Sequence, residues 1–246
     1  MLIYGKNAVF EALKSEKTFN RLLIDKTFKD KNTQDIIDLA RKNGVKVDFV
    51  NKIVLENKLS DLRKAGEKVN YQGIVGETVE FEYSDLEDVF EKAKESDVPP
   101  FILILDGIED PHNLGAIIRT AECAGVHGVI ISDRRACLVN ETVLKTSAGA
   151  VSNVNVVKVG NLNNTIEDLK KRGVWVYACE VGGQNLFKTK LDGPIAIVVG
   201  SEGKGMSRLV KENCDEIITI PMKGKINSLN VSVAAAIATF EVVRNR

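Results

Sequence analysis

The sequence predicts an α/β protein of two domains, the second built on a parallel sheet. Three observations lead to this prediction. Strand-like apolar runs alternate with amphipathic, helix-like segments along nearly the whole chain. The strands beyond residue 100 are apolar throughout, as expected of strands buried on both faces by helices. An acidic stretch separates residues 1–78 from residues 100–246, and 44% hydrophobic residues over 246 positions can supply a core to each part.

The first domain is predicted from alternating short segments. Helices are expected over 6–14 and 35–42, and strands over 21–24, 45–50 and 73–79. In the acidic stretch that follows, Glu87, Glu91 and Glu95 recur at every fourth residue beside Leu86, Val89 and Phe90. This spacing predicts an amphipathic linker helix within residues 79–99, ended by two prolines at 99 and 100.

The second domain is predicted from a strict alternation of strand and helix. Buried strands are expected at FILIL, GVIIS, VNVVKV, VWVYA, IAIVVG and EIITIPM. Helices are expected between them, and a long one, LNVSVAAAIATFEVVR, follows the last strand. In this helix Leu229, Val233, Ile237 and Phe240 form the predicted buried stripe, while four alanines leave a small-residue surface for another helix of this chain or of a second copy.

Composition restricts the class of protein. The net charge is zero, but it divides into +4 for residues 1–78, −6 for 79–99 and +2 for 100–246, a weak signal for nucleic-acid binding by the first domain. The four cysteines are far apart and the two histidines are isolated, so neither a metal site nor a disulfide framework is predicted. There is no secretory signal or long apolar run, and a cytoplasmic location is expected.

The first candidate site motif is LDGIEDPHNLGAIIRTAECAG, in which a buried strand ends at Asp106 and a helix is expected to begin near Asn113. Asn113 either caps this helix or contributes to a site. Arg119 lies off the apolar stripe of Leu114, Ile117, Ile118 and Ala121. With Gly115 leaving open surface one turn earlier, Arg119 is expected to reach the loop before the helix. The alternative is a surface ion pair with Glu122.

The second motif is IAIVVGSEGKGMS, a glycine-rich loop between a strand and a helix. Gly200, Gly203 and Gly205 allow the backbone to approach a ligand closely. The loop has neither the GxGxxG nor the GxxxxGK[ST] spacing, which disfavours a nucleotide phosphate. Glu202 is either a surface or capping carboxylate or a group that bonds a polar ligand or orients Arg119.

The third motif is ITIPMKGKINSLNVSVAAAIATFEV, in which a strand again leads through a loop into a helix. Ser228 and Asn230 stand at the start of that helix, where either residue can act as a cap. Because the carboxyl ends of parallel strands form the usual ligand crevice, all three loops are candidates for one site.

In this order the segments NLGAIIRTA, VVGSEGKGM and IPMKGKINSLNVSVAAAI resemble the three motifs of the SpoU/TrmH family of RNA ribose 2′-O-methyltransferases. The resemblance extends over essentially the whole chain. IYGKNAVFEAL and YQGIVG are similar to the ends of the small RNA-binding domain in the subgroup that modifies a guanosine of large-subunit ribosomal RNA. Tyr71 departs from this subgroup, in which histidine is usual.

The resemblance implies a site and an assembly. The cofactor is S-adenosylmethionine, held by the backbone at Gly200, Ile220 and Leu229, with Asn113, Glu202, Ser228 and Asn230 lining the site. Arg119 matches the arginine that activates the ribose hydroxyl. Because a guanidinium normally stays protonated, Arg119 can equally hold a phosphate and stabilise a developing alkoxide. The resemblance also implies a deep trefoil knot and a homodimer with the active site at its interface. It implies no metal.

Three alternatives follow from the same residues. A Rossmann dehydrogenase requires a glycine fingerprint after its first strand, which LDGIEDPHNLG lacks. A non-catalytic RNA-binding module would not need the cofactor loops. A transfer-RNA or antibiotic-resistance methyltransferase would share the catalytic domain and differ only in its target.

Overall fold

The computed structural model describes residues 2–14, 19–27, 31–64, 66, 68–78, 81–225 and 228–246. These residues form two compact units. One contains the chain up to Phe81 together with Val139–Glu141, and the other contains Glu82–Leu138 and Thr142–Arg246. No described helix is both long enough and apolar enough to cross a bilayer.

The first unit is a four-stranded mixed sheet with helices on both faces. Its elements are β1 (Leu2–Tyr4), α1 (Lys6–Lys14), β2 (Phe19–Asp25), α2 (Lys31–Lys42), β3 (Lys46–Val50), α3 (Lys52–Lys58), α4 (Ser60–Lys64) and β4 (Ile74–Thr78). The strand order is β1-β4-β2-β3, and only β2 and β3 run parallel. The two short helices α3 and α4 were not predicted from the sequence. Val79, at the end of the last strand predicted for this unit, lies outside the described residues.

The alternation of β2 explains why both faces of this sheet are covered. Leu22 and Ile24 point into a cluster with Val9 and Ile36, from α1 and α2. Leu23 between them points to the other face, where it packs with Leu55 of α3, with Leu59 just after that helix and with Tyr71, which precedes β4. Because successive side chains of a strand point to opposite faces, β2 contributes to two small cores.

The second unit is a six-stranded, fully parallel sheet. Its elements are α5 (Leu86–Glu95), β5 (Phe101–Asp106), α6 (Pro111–Cys123), β6 (Gly128–Ser132), α7 (Glu141–Thr146), β7 (Asn155–Val159), α8 (Leu162–Lys171), β8 (Trp175–Asn185), β9 (Ile195–Gly200), α9 (Arg208–Asn213), β10 (Glu216–Thr219) and α10 (Val231–Asn245). The strand order is β10-β8-β9-β5-β6-β7. The predicted α/β class and parallel sheet are confirmed.

The strand order identifies the point at which a ligand is expected. From β5 the chain proceeds outward to β6 and β7, and then crosses β5 to build β8, β9 and β10 on its other side. The direction of winding therefore changes between β5 and β9, where Asp106 pairs with Gly200. Open parallel sheets bind ligands at such a switch point, beyond the carboxyl ends of the strands.

The acidic helix α5 packs on the sheet of the second unit. Its Val89 is fully buried against Ile102, Ile130 and Val157. Ser84, just before the helix, forms a parallel bridge with Val157. Glycine is required at position 128, because the Val89 side chain occupies the space of a Cβ there. The residues predicted as a linker thus supply core to the second unit.

The last helix is buried on a different face from the one expected. The sequence predicts burial of Leu229, Val233, Ile237 and Phe240, but Val233 is 45% and Phe240 49% exposed. The buried face instead consists mainly of small residues, Val231, Ala235, Ala238, Thr239 and Val242. Because alanines let α10 approach α6 and β9 closely, the small-residue face packs inward and the larger apolar stripe faces outward.

Candidate active site

Three loops at the carboxyl edge of the parallel sheet contain the predicted site residues. They follow β5, β9 and β10, and lead into α6, α9 and α10 respectively. Ile226 and Asn227 in the third loop lie outside the described residues. Since all six strands are parallel, their carboxyl ends share one edge, and the three loops meet there.

Asn113, Glu202 and Asn230 come together from these loops. The Nδ2 of Asn230 donates to Oδ1 of Asn113 at 3.1 Å and approaches Oε2 of Glu202 at 3.4 Å. The Nδ2 of Asn113 approaches the same carboxylate oxygen at 3.5 Å. Two amides therefore share one carboxylate oxygen, and 117 residues of sequence separate the two asparagines. This amide–carboxylate cluster is the centre of the candidate site.

The cap hypothesis is wrong for Asn113 and correct for Asn230. Helix α6 begins at Pro111, and Asp110 is its N-cap, accepting from the backbone N–H of His112 at 2.9 Å. Asn113 therefore lies inside the first turn, which leaves its amide free for the cluster. Asn230 does cap α10, since its Oδ1 accepts from the backbone N–H of Ser232 at 2.9 Å. That bond directs the Nδ2 of Asn230 toward Asn113 and Glu202.

The glycine loop is a tight, closed turn. Ser201 and Gly205 exchange two backbone hydrogen bonds of 3.0 Å, and Gly203 and Gly205 have φ of 85° and 67°. A side chain at Gly200 would collide with the backbone of Met206, so this position must be glycine. The loop end is held by Asp106, whose carboxylate accepts from Ser207 N at 2.6 Å. These bonds present Glu202 at the tip of a loop that is closed by hydrogen bonds.

A cavity of about 320 Å³, the donor cavity, lies over the ends of β8, β9 and β10. Gly200, Ile220 and Leu229, the predicted cofactor contacts, line it together with Glu202 and Ser228. Asn230 is not among its described lining residues. The volume falls in the range of small-molecule sites, about 300–1,000 Å³.

The lining of the donor cavity fits a partly apolar cation. Val199, Ile220, Leu229 and Ala234 supply aliphatic surface, and Glu180 and Glu202 supply two carboxylates. Among the described lining residues there is no lysine, arginine or histidine. Such a wall suits an adenine ring joined to a sulfonium and is unsuited to a phosphate.

A second cavity of about 180 Å³, the acceptor cavity, lies over the ends of β5 and β9, at the switch point. It is lined by Asn113, Glu109 and Asp110 from the first loop and by Lys204 from the glycine loop. Ser201, Glu202 and Val231 line both cavities. The amide–carboxylate cluster therefore stands at the wall that the two cavities share.

Arg119 is exposed on α6 and lines neither cavity. Within the described part of the chain it has no ion pair or side-chain hydrogen bond, and thus no pairing with Glu122. The predicted open surface at Gly115 is also wrong, because Gly115 is buried and a Cβ there would lie 2.7 Å from Cβ of Thr146. The buried stripe predicted for this helix is confirmed at Leu114 and its three partners.

Cys179 and His127 are not suited to a catalytic role at neutral pH. Burial raises the pKa of Cys179, which lines the donor cavity, to about 11, and its thiol stays protonated at neutral pH. His127 is buried, accepts from Phe101 N at 2.9 Å through Nδ1 and lies 3.1 Å from Ser96 Oγ. Burial lowers its pKa to about 4, with Arg246 and Lys92 adding to the shift, so its role is structural.

Glu180 and Thr219 line the donor cavity without having been predicted. Thr219 Oγ1 accepts from Gly183 N and donates to Glu180 O, both at 2.7 Å, which joins β10 to β8. Glu180 is the first charged residue after the buried run VWVYA. The rule that ligands bind at the carboxyl ends of parallel strands could have identified it.

Comparisons with known proteins show the family to which the chain belongs. Residues 100–240 match the SpoU rRNA methylase family model, and residues 2–84 match the model for RNA 2′-O ribose methyltransferase substrate binding. A Bacillus subtilis protein named as the TrmH family tRNA/rRNA methyltransferase YacO is 42% identical over 99% of this chain and 95% of its own. A Staphylococcus saprophyticus protein of the same family name is 44% identical over 100% of this chain and 96% of its own.

The fold is also that of a solved methyltransferase. The SpoU methyltransferase AviRb from Streptomyces viridochromogenes, in complex with AdoMet, superimposes with a TM-score of 0.61 at 22% identity, over 99% of this chain and 89% of that one. The chain therefore belongs to the SpoU/TrmH family of RNA methyltransferases, and the resemblance found in its three motifs is confirmed.

Proposed function

We propose that this protein transfers a methyl group from S-adenosylmethionine to a ribose 2′-hydroxyl, with a guanosine of large-subunit (23S) ribosomal RNA as the target. The observation that supports this most directly is the wall of Ser201, Glu202 and Val231 shared by the two cavities. Methyl transfer requires the donor and acceptor atoms to be in line and in contact. Two cavities that meet at one polar wall satisfy that requirement.

The donor cavity receives the cofactor, which supplies a methyl group on a cationic sulfonium. Backbone groups at Gly200, Ile220 and Leu229 bind its polar edges, and the surrounding aliphatic side chains cover its adenine. The carboxylate of Glu202, at the shared wall, favours the positive centre near the acceptor. Ser228 lines the cavity beside Leu229, where its hydroxyl can bond the ligand.

The acceptor cavity receives the target ribose. Its 2′-hydroxyl meets the cluster at the shared wall, where Glu202 accepts a hydrogen bond from it while Asn113 and Asn230 fix the carboxylate. Lys204 is the one basic group among the described lining residues, and it supplies a contact for a flanking phosphate. Asn113, Glu202 and Asn230 orient the hydroxyl, and none of these three carries a positive charge that stabilises a developing alkoxide.

A second copy of the chain supplies that guanidinium. Arg119 is exposed and unpaired among described residues, and its helix packs against α10. Helix α10 exposes an apolar stripe that includes Val233, Phe240 and Val243. Pairing this surface in a homodimer covers the stripe and brings the Arg119 of one copy to the cavities of the other.

The dimer proposal has a direct test. An Arg119→Ala chain and a Glu202→Ala chain are each inactive alone, and mixing them assembles one site that has both residues in place. We expect recovery of up to one quarter of the parental activity in a random mixture, measured per active site. If Arg119 acts within its own chain, mixing recovers nothing.

The first unit binds the RNA substrate. Its residues match the substrate-binding family model, and residues 1–78 have an excess of four positive charges. Because α5 belongs to the core of the second unit, the truncation that tests this begins at residue 82. We expect the truncated protein to keep cofactor affinity and to lose RNA affinity at least tenfold.

Mapping of 2′-O-methyl groups on ribosomal and transfer RNA tests the target. Cells without this protein are expected to lose one modification, on a guanosine of 23S ribosomal RNA, and to regain it on complementation. The relatives named as tRNA/rRNA methyltransferases favour transfer RNA as the second candidate. Loss of a transfer-RNA methyl group instead would select that candidate.

A further inference from the structure

Glu180 occupies a distinctive position on the wall of the donor cavity. Cys179 pairs with Val199, the last pair between β8 and β9, and Glu180 is the next residue of β8, in the stretch where the register with β10 is interrupted. Its side chain lines the cavity and is half-buried. The family motifs in the three loops do not include it, because it lies on the neighbouring strand β8.

The Glu180 carboxylate is fixed in place by backbone donors. Its Oε2 accepts from Met206 N at 3.3 Å, and its Oε1 accepts from Val181 N at 3.2 Å. The same Oε2 would lie 3.0 Å from a Cβ at Gly205, so the carboxylate fills the space beside the glycine loop. Each oxygen retains a lone pair beyond these bonds, and both belong to a group on the cavity wall.

The carboxylate has no cationic partner among the described residues. None of its bonds compensates its charge, and the described lining of the cavity contains no basic side chain. The two backbone bonds leave acceptor capacity on both oxygens, which a donating ligand in the cavity can use. The wall therefore presents two oriented acceptors to whatever occupies the cavity.

The strand order indicates which part of the cofactor meets Glu180. The shared wall with Glu202 marks the sulfonium end, over β9. Ile220 and Leu229, in the loop that follows β10, mark the apolar adenine end. Strand β8 lies between β10 and β9 in the sheet. In an adenosyl sulfonium, the group between adenine and sulfur is the ribose.

From this placement we propose that Glu180 recognises the ribose hydroxyls of the adenosyl cofactor, with its two carboxylate oxygens accepting from the vicinal diol. The inference rests on the proposed function, because it assumes an adenosyl ligand in the donor cavity. A vicinal diol offers two donors to the two carboxylate oxygens, and in dinucleotide-binding sheets an acidic side chain accepts from a ribose hydroxyl. Glu180 is thus a specificity residue for the nucleoside part of the cofactor.

The test is a calorimetric cycle of two proteins and two ligands. Full-length parent and Glu180→Gln are titrated with S-adenosylhomocysteine and with its 2′-deoxy analogue. We expect the parent to bind the deoxy analogue at least tenfold more weakly. Glu180→Gln should bind S-adenosylhomocysteine about tenfold more weakly than the parent does, and should discriminate between the two ligands by less than about threefold. Glu167→Gln, an exposed carboxylate outside both cavities, is the matched control.

The other outcomes overturn the inference in distinguishable ways. An equal loss on both ligands with unchanged affinity for 5′-methylthioadenosine, which lacks the amino-acid part, would assign Glu180 to the ammonium group. An equal loss of affinity for all three ligands would show that Glu180 only supports the glycine loop. Unchanged affinity for all three would show that Glu180 does not recognise the cofactor. If the parent binds no adenosyl ligand even with RNA present, the proposed function itself fails.

Discussion

Helices α6 and α10 each bring an asparagine to the site, yet they pack in opposite ways. Helix α6 buries its large apolar residues, Leu114, Ile117 and Ile118, and exposes Arg119. Helix α10 buries alanines and exposes Val233 and Phe240. The first helix is stabilised by the fold of one chain, whereas the second keeps an apolar surface that the described residues leave exposed. This exposed stripe is the surface on which we propose that a second copy packs.

The strongest test of this comparison concerns Arg119. We expect Arg119→Ala to slow methyl transfer on the order of a hundredfold or more while cofactor binding persists, because a preorganised guanidinium is lost from the transition state. Arg119→Lys should fail nearly as badly if both arms of the planar fork are used. Single-turnover methylation of ribosomal RNA measures the rate. A rate within about threefold of the parent would identify Arg119 as an ordinary surface residue.

A charge placed on the exposed apolar stripe of α10 tests whether that stripe forms the proposed interface. Phe240→Lys should convert the dimer to monomer at micromolar concentration and lower activity on the order of tenfold, because it buries a charge in an apolar contact. Analytical ultracentrifugation gives the mass. Leu209→Lys, at an exposed leucine of α9, is the control that leaves the mass unchanged. A dimer that survives Phe240→Lys with full activity would contradict the proposed interface.

Alanine variants of Asn113 and Asn230 separate an effect on the rate from an effect on helix capping. Each change to alanine removes an amide hydrogen bond to the Glu202 carboxylate, and we expect a three- to tenfold loss of rate from either. Only Asn230→Ala should also lower the free energy of unfolding, by about 1 kcal/mol, because Asn230 caps α10. Denaturant unfolding and single-turnover rates, measured on both variants, give the two quantities. Equal stability losses would mean that the cap contributes nothing specific.

His127, just beyond the carboxyl end of α6, is expected to affect stability without affecting the rate at neutral pH. Burial depresses its pKa from 6.5 to about 4, so the unfolded chain binds the proton more readily. Its contribution, at most about 3 kcal/mol, is therefore complete above pH 6.5 and is lost as the pH falls toward 4. Unfolding of the parent and His127→Gln at pH 7.5 and 5 measures this. The parent should lose more stability than the variant.

The sequence was sufficient for the strands and the long helices of the second unit, whereas β1, α3 and α4 of the first unit were not predicted. The resemblance of the three motifs singled out Asn113, Glu202 and Asn230, and each of them follows a strand that ends at the same edge. Periodicity could not tell which face of α10 is covered, because both faces are apolar and the choice depends on how closely its neighbours approach. Gly115 was misread for a similar reason, since the group that packs on it, Thr146, is distant in sequence.

Some predictions depend on properties outside a single chain or its local pattern. The trefoil knot, the homodimer, the cytoplasmic location and the guanosine target stay predictions. Glu180 was missed because a single glutamate after the buried run VWVYA belongs to no motif, although the rule on the carboxyl ends of parallel strands points to this place in the chain. The position of β8 between β9 and β10 then places Glu180 beside the glycine loop.

The wall shared by the two cavities also links the two ligands energetically. Ser201, Glu202 and Val231 face both of them, so a ligand that shifts or orders this wall changes the affinity on its other side. Such coupling is reciprocal: any factor by which bound RNA tightens the cofactor is the factor by which the cofactor tightens RNA. The demethylated product, which lacks the group that bridges the wall, should then bind with a different coupling. Release of the modified RNA would thereby be tied to the chemical state of the cofactor.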